Sequence, residues 1–436
     1  MSAEGHPGGM APQPSSAARA DGDGRTPGRA GAPAAEPARD GLPDPVPLAQ
    51  ALVRCPSITP ADAGALDLVE RELAALGFAC HRRAFGGPPD GPVDNLFAVI
   101  GAGPPHVALA GHVDVVPPGD RTAWSVDPFA GEVRGGRLVG RGAADMKGAI
   151  AAMVSAAAGH VARGAPGTLS MLLTGDEEGP AVFGIDRLLD WMAAEGHVPD
   201  MCLVGEPTSA RRLGDVVKIG RRGSLNAWIE IRGVQGHVAY PDRADNPVRR
   251  LVAILAELQA RRLDEGTEWF QPSNLEVTDV AVGNPAANMI PARASARLNI
   301  RFNDRHCGSA LAGWIEEVVA RHAPAAETRI RISGEAFLTE PGLLSRLVAE
   351  AVEAETGICP QFSTSGGTSD ARFIRRLCPV VEFGLVGATM HRVDEEAPVE
   401  DIRCLARIYD RFLACAFALR PAAAEPQSPG PARSRA

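Results

Sequence analysis

Histidine and acidic side chains follow apolar runs at several widely separated places in this sequence. Such runs lie at 107–110, 168–174, 201–204 and 380–383, and one further acidic residue precedes an Ala-rich stretch. The candidate residues at these places are His112, Asp145, Glu178, Glu206 and His391. Imidazole and carboxylate groups are common zinc ligands, and a set of this size suggests two zinc ions that share a bridging aspartate. Asp114, two residues after His112, can hold the second ring nitrogen and fix the tautomer.

The adjacent acidic residues Asp176, Glu177 and Glu178 are the next strongest local signal. Neighbouring carboxylates repel one another unless a cation or a proton neutralises them. A lone D-E-E would be interpreted as a solvated acidic turn, but this one follows a predicted buried strand in a chain with other candidate ligands. One glutamate can therefore bind metal, while the other acts as general base on a water whose pKa zinc lowers.

The order of apolar segments predicts an α/β fold around these residues. Predicted strands at 95–100, 107–110, 168–174 and 201–204 alternate with helices at 145–161 and 185–195, and the first two strands are expected to be neighbours. This order favours a mixed, largely parallel sheet with helices on both faces. Ligands bind beyond the carboxyl ends of the strands in such sheets, where His112, Glu177, Glu178 and Glu206 fall.

Residues 223–334 have a different pattern. Their order of strand, helix, strand, strand, helix and strand predicts a ferredoxin-like α+β unit. We interpret it as a domain inserted into a catalytic domain formed by 43–222 and 335–420. Residues 1–42 and 421–436 are rich in Ala, Gly, Pro, Ser and Arg, and a disordered tail is expected at each end.

Composition limits the classes of partner. The chain of 436 residues has a net charge of -9, and no basic block appears, so a nucleic-acid partner is not expected. No apolar run reaches the roughly 18 residues that a membrane span needs. Its eight cysteines are scattered without a C-x-x-C pair, which favours a reducing compartment and a cytoplasmic location.

Other motifs have simpler interpretations. G-R-G-A-A-D at 140–145 lacks the third glycine of a dinucleotide fingerprint, and Asp145 would repel a pyrophosphate. No G-x-S-x-G elbow is present, which disfavours a serine hydrolase. The turn S-G-G-T-S-D at 365–370 precedes a predicted helix and could bind a carboxylate. His237, taken alone, is interpreted as a structural histidine.

Together, H-V-D, G-R-G-A-A-D-M-K-G, D-E-E-G, V-G-E-P-T and the late His391 resemble the di-zinc aminoacylase and carboxypeptidase family. Longer motifs resemble the branch that hydrolyses N-succinyl-LL-2,6-diaminopimelate in bacterial lysine biosynthesis, and they cover residues 45–419. These motifs are W-S-V-D-P-F, L-G-D-V-V-K-I-G-R-R-G-S-L, V-Q-G-H-V-A-Y-P, N-M-I-P-A, S-G-G-T-S-D-A-R-F and M-H-R-V-D-E. The alternative is acetylornithine deacetylase or another N-acyl-amino-acid deacylase or carboxypeptidase. A non-catalytic binding module is disfavoured, because the base and all five ligands are present.

The resemblance implies a role for each residue of the metal centre. One zinc would be held by His112 and Glu206, the other by Glu178 and His391, with Asp145 bridging and with cobalt able to replace zinc in one position. Glu177 would be the general base, and Asp114 would orient His112. The resemblance also implies a cis peptide bond between Asp145 and Met146.

The resemblance further implies a homodimer that acts on a small-molecule substrate. The inserted domain would form the dimer contact and cover the site. His237 would reach the partner subunit's active site and stabilise the oxyanion there. The expected substrate contacts are Arg222, Tyr240, Asn288, Arg301, Gly367 and Thr368. Two positions depart from the family pattern: Asp242 replaces a frequent histidine, and Gly387 replaces a frequent asparagine, which puts one substrate contact in doubt.

Overall fold

The structure, a computed structural model, describes residues 41–419. The predicted disordered tails lie outside the described residues, apart from Gly41 and Leu42. Within the described part, the α-helices are α1 (Val46–Val53), α2 (Ala65–Ala75), α3 (Gly148–Arg163), α4 (Ile185–Ala194), α5 (Pro247–Ala260), α6 (Gly308–His322), α7 (Leu343–Thr356), α8 (Ala371–Ile374) and α9 (Val399–Phe417). In residues 41–419, no helix combines the length and apolar character that crossing a membrane requires.

The strands fall into one large sheet, one smaller sheet and three short ladders. In chain order they are β1 (Ala79–Phe85), β2 (Val93–Ala102), β3 (His106–His112), β4 (Glu132–Arg134), β5 (Arg137–Val139), β6 (Gly167–Thr174), β7 (Met201–Val204), β8 (Val216–Lys218), β9 (Gly220–Arg221), β10 (Gly223–Arg232), β11 (Gly236–His237), β12 (Asn274–Ala281), β13 (Met289–Ile290), β14 (Arg293–Phe302), β15 (Glu327–Gly334), β16 (Phe337–Leu338), β17 (Gln361–Ser363), β18 (Val380–Glu382) and β19 (Glu396–Pro398). The helices and strands predicted from periodicity are found within a few residues of their expected bounds.

The large sheet has the order β1-β2-β6-β3-β7-β18-β8-β17. Strands β6, β3, β7 and β18 run parallel to one another, whereas β1 and β2 are antiparallel to their neighbours. The predicted mixed, largely parallel sheet is therefore confirmed. Because the parallel strands end at one edge, the residues that follow β3, β6 and β7 are brought together.

The expectation that β2 and β3 are neighbours is wrong. Strand β6 lies between them and pairs with β2 on one side and β3 on the other. Every residue of β6 is buried, so this strand needs a partner at both edges to satisfy its backbone. The link between β2 and β3 contains Pro104 and Pro105, which have no backbone N–H to close a tight hairpin.

Alternate residues of the central strands face two separate apolar layers. On β3, Val107 and Leu109 pack into the layer that contains α1, α2, α3, α7 and α9. Ala108 and Ala110 pack on the opposite face, against α4 and α8. Helices therefore cover both faces, as predicted, and they hold the strand ends rigidly at the edge where the candidate ligands lie.

The smaller sheet has the order β12-β14-β10-β15 and is antiparallel throughout. Helices α5 and α6 cover one face, and apolar residues such as Leu225, Leu298 and Ile315 form a core distinct from those of the large sheet. This arrangement is the predicted ferredoxin-like order. The division of the chain at residues 223 and 334, and the role of this part in dimerisation, stay predictions.

Candidate metal centre

Two imidazoles and one carboxylate form the centre of the site. His112 ends β3 and is buried, and its Nδ1 donates to the Asp114 backbone carbonyl over 2.9 Å. This bond leaves Nε2 available as a ligand atom, 3.1 Å from Asp145 Oδ1. His391 Nε2 lies 3.4 Å from Asp145 Oδ2 and 2.8 Å from Glu178 Oε1. The Asp145 carboxylate thus presents one oxygen to each imidazole, which is the geometry that a bridging ligand needs.

The remaining glutamates complete two overlapping groups of ligand atoms. The ligand atoms of His112, Asp145 and Glu178 lie within 4.8 Å of one another, and so do those of His112, Glu177 and Glu206. Glu206 Oε1 is buried without a hydrogen-bond partner, 3.7 Å from His112 Nε2. Glu177 therefore lies in a group of ligand atoms with His112 and Glu206, although the resemblance does not assign it as a ligand.

The pKa shifts of the side chains in this cluster reflect an excess of buried negative charge. Burial and the nearby Asp145 carboxylate raise the pKa of Glu206 to about 8. Burial and the charge of Glu206 raise the pKa of Glu177 well above its usual range. Hydrogen bonds to Asp145 and Glu178 raise the pKa of His391 to about 10. A cation placed among these groups would remove the cost of holding protons there, so the residues fit divalent metal ions.

The D-E-E turn is held by two buried carboxylates. Asp114 accepts hydrogen bonds from the backbone N–H groups of Glu177 and Glu178, over 3.2 and 3.0 Å. Asp176 accepts from the N–H groups of residues 181, 182 and 183 at the far side of the turn. Asp114 was predicted to orient His112; its carboxylate lies 3.6 Å from the ring nitrogen, and it also fixes the acidic pair.

Asp145 stands in an irregular turn, Ala143–Lys147, and the regular helix α3 begins at Gly148, three residues later than predicted. The Asp145–Met146 peptide bond is cis, as the resemblance implies. One oxygen of the buried Glu395 carboxylate accepts from the N–H groups of residues 142, 144 and 145, over 3.0–3.1 Å. Its other oxygen pairs with Arg141 over 2.6 Å. Glu395 therefore fixes the backbone that presents Asp145.

A cavity of about 550 Å³ opens beside the acidic pair. Glu177 and Glu178 line one wall, and the predicted substrate residues Arg301, Gly367 and Thr368 line others. Arg222 does not line this cavity; it donates to Asn274 Oδ1 over 3.0 Å. Burial, together with the charge of Arg222, lowers the pKa of Arg301, so these two guanidinium groups lie close enough to interact.

The other predicted residues form a separate, exposed group. His237 on β11 pairs with Met289 on β13, and its ring centroid is 5.8 Å from that of Tyr240. Asn288 accepts from the Val238 N–H over 3.0 Å through its carbonyl. His237, Tyr240 and Asn288 are all exposed to solvent and do not line the cavity. The structure therefore does not bring them to the metal centre of their own chain.

Comparison with known proteins identifies the family. Residues 108–414, which include His112 and His391, match peptidase family M20/M25/M40. The chain belongs to this family. The match confirms the resemblance at the level of the family.

Among curated M20/M25/M40 relatives, the succinyl-diaminopimelate desuccinylase of Rhizorhabdus wittichii is 59% identical over 370 residues, which cover 84% of this chain and 96% of the relative. The enzyme of the same name from Acidiphilium cryptum is 60% identical over 85% of this chain and 98% of its own length. Among solved structures, an M20 family metallo-carboxypeptidase of Sulfolobus solfataricus has a TM-score of 0.73 at 15% identity, covering 87% of this chain and 100% of its own. The last similarity supports the fold.

Several residues of this M20/M25/M40 member that contact the site or its cavity were not predicted. Glu395 lies in the motif M-H-R-V-D-E, four residues after His391, so its position in the sequence could have indicated it. Arg331 and Arg372 line the cavity. Arg331 stands in an ordinary alternating strand, and nothing in the sequence separates it from Arg329, which contacts Trp228 elsewhere on the sheet.

Glu395→Gln is expected to weaken metal binding in this M20/M25/M40 member by about 10- to 100-fold, as is typical when a residue that orients a metal ligand is replaced. Glutamine would remove the negative charge of the carboxylate, which pairs with Arg141 and accepts hydrogen bonds from three N–H groups. Asp145 would then be held less firmly. The measurement is competition with a chelator of known zinc affinity. The control is Glu396→Gln, whose side chain pairs with Arg137 outside the site. Equal zinc affinity in the two variants would contradict the assignment.

Proposed function

We propose that this chain hydrolyses N-succinyl-LL-2,6-diaminopimelate to succinate and LL-2,6-diaminopimelate, a reaction of lysine and diaminopimelate biosynthesis. The observation that carries the proposal is the 57–60% identity to enzymes named succinyl-diaminopimelate desuccinylase, over at least 95% of their length. The candidate ligands and base meet at one edge of the large sheet. This arrangement supports hydrolysis over simple binding.

Two zinc ions are proposed to occupy the site, with His112 and Glu206 at one, Glu178 and His391 at the other, and Asp145 between them. The two imidazoles favour zinc over magnesium or calcium, and cobalt could replace zinc in one position. The support is the pair of Asp145 oxygens facing the two imidazoles and the Glu206 oxygen without a hydrogen-bond partner. Bound zinc would supply Lewis acidity, which polarises the amide carbonyl and acidifies water.

Glu177 is proposed to transfer the proton. Its carboxylate lies at the cavity wall beside the metal ligands, where it can take a proton from the attacking water and deliver it to the leaving amine. His237 of a partner subunit is proposed to donate to the developing oxyanion.

The substrate carboxylates are proposed to contact Arg222 and Arg301, while the turn at Gly367 and Thr368 contacts the amide. Tyr240 and Asn288 are proposed to act beside His237 in the partner's site. A homodimer through residues 223–334 is proposed because β12 forms an open edge of the smaller sheet. Val280 on β12 and Val252 on α5 are 55% and 59% exposed, so a two-fold contact could bury both.

A cytoplasmic location is proposed from the cysteines. All eight lie in the described part of the chain, and all are free thiols. Thiols persist unpaired in reducing compartments, whereas oxidising compartments favour disulfides.

The function is tested by offering the zinc-loaded protein three substrates in parallel: N-succinyl-LL-2,6-diaminopimelate, N-acetylornithine and a dipeptide. We expect the succinylated compound to have the highest kcat/KM by about 10- to 100-fold, because a carboxylate bound in a matching site is worth about 1.5–3 kcal/mol. A higher kcat/KM for N-acetylornithine would establish the alternative deacylase. No turnover of any substrate at full zinc occupancy would contradict hydrolysis.

A further inference from the structure

The cavity beside the acidic pair is lined by three arginines that form no direct ion pair in the described part of the chain. Arg301, Arg331 and Arg372 all line it. Within residues 41–419, none of the three guanidinium groups has a carboxylate within 4.0 Å, whereas the buried Arg141 and Arg221 are paired with Glu395 and Glu382. In a chain of net charge -9, unpaired cations in one cavity indicate a site for a negatively charged ligand.

Arg331 and Arg372 approach the cavity from different parts of the fold. Arg331, on β15 of the smaller sheet, donates to the Pro180 carbonyl over 2.5 Å and is therefore next to the acidic turn. Arg372, on α8 beside the large sheet, has its guanidinium carbon 4.3 Å from the centre of the Phe373 ring. Its Nε is buried without a hydrogen-bond partner. Arg372 thus carries a donor that the described part of the chain does not satisfy.

Close packing brings Arg372 against the strand that carries Arg331. A Cβ added to Gly334, at the end of β15, would lie 2.6 Å from Arg372 Cδ. The side chain of Arg372 therefore passes directly over the backbone three residues after Arg331. This contact joins the smaller sheet to α8, and both arginines line the same cavity as Glu177 and Glu178.

We propose that Arg331 and Arg372 form a subsite for a substrate carboxylate remote from the scissile amide. The inference rests on the proposed function, because N-succinyl-LL-2,6-diaminopimelate has three carboxylates, one on the acyl group and two on the diaminopimelate part. Guanidinium groups bind carboxylates through paired N–H donors, and Arg222 and Arg301 supply only two guanidinium groups for three carboxylates. The subsite would thus discriminate between substrates by their number of carboxylates.

The test compares Arg331→Gln and Arg372→Gln on three substrates: the full compound, its N-acetyl analogue without the acyl carboxylate, and N2-succinyl-lysine without the far carboxylate. Loss of a charged hydrogen bond is expected to lower kcat/KM on the full compound by about 10- to 100-fold, mainly through KM. The decrease should vanish for the analogue that lacks the bound carboxylate, which also identifies that carboxylate. Matched controls are Arg329→Gln, two residues away on β15, and Arg375→Gln, just after α8.

The outcomes separate this inference from the proposed function. If the unmodified enzyme does not hydrolyse the full compound, the proposed function fails, whatever the variants do. If it does, and each variant loses the same factor on all three substrates, the arginines are structural and the subsite is wrong. Wild-type kinetics in both variants would also overturn it. Zinc content and thermal unfolding temperature establish that the variants are folded and loaded.

Discussion

Glu177→Gln is expected to reduce kcat by about 10²- to 10⁴-fold, the range that general acid–base catalysis contributes, with little change in metal content. Glutamine keeps the size of the side chain but cannot accept the proton of the attacking water. The backbone N–H of residue 177 would still donate to Asp114, so the acidic turn should keep its position. The measurements are kcat at saturating substrate and zinc per chain by elemental analysis.

The contrasting variant is Glu178→Gln, which changes the adjacent carboxylate. Glu178 accepts from His391 over 2.8 Å and is the proposed ligand, so this variant should lose zinc as well as activity. The structure makes the comparison informative, because Glu177 also lies within ligand distance of His112 and Glu206. If Glu177→Gln lost about one zinc per chain, Glu177 would be a ligand, and near-normal kcat at full zinc occupancy would show that it is not the base.

Much of the fold could be predicted from the sequence, because long apolar segments have a clear period. The helix α4 and the strands β6 and β7 were found at almost the predicted bounds. Strands of two or three residues, such as β8 and β17, were missed because so few residues show no period. The order of strands was also partly missed, since pairing between β2 and β6 depends on contacts distant in sequence.

The candidate metal ligands could be proposed from the sequence because each follows a predicted strand or precedes a predicted helix. Parallel strands end at the same edge of the sheet, so residues at such positions are expected to lie close together. The turn around Asp145 could not be predicted, because its shape depends on Glu395, which lies 250 residues away. The sequence likewise could not show that Arg331 and Arg372 form no ion pair. A charge is recognised as unpaired only when the positions of all neighbouring acids are known, and those acids come from separate segments.

The largest expected recovery of activity concerns His237, which the structure places on the exposed pair of strands β11 and β13. It does not line the cavity of its own chain. If His237 serves the neighbouring subunit, each active site of a homodimer takes Glu177 from one chain and His237 from the other. The variants His237→Ala and Glu177→Gln should then each be nearly inactive alone, for different reasons.

Mixing equal amounts of the two inactive variants, with subunit exchange, is expected to restore activity. Half of the dimers would be mixed, and each mixed dimer would hold one intact site out of two, so about a quarter of the wild-type activity should return. The measurement is kcat per chain after exchange, with native mass spectrometry to count mixed dimers.

The control mixes Glu177→Gln with His106→Ala, which changes a partly buried histidine bonded to Ser170 away from the site. In that mixture every site with an unchanged Glu177 also receives an unchanged His237, so activity should equal the average of the two parent proteins. If the His237→Ala mixture stays inactive while mixed dimers are present, His237 does not act across the interface.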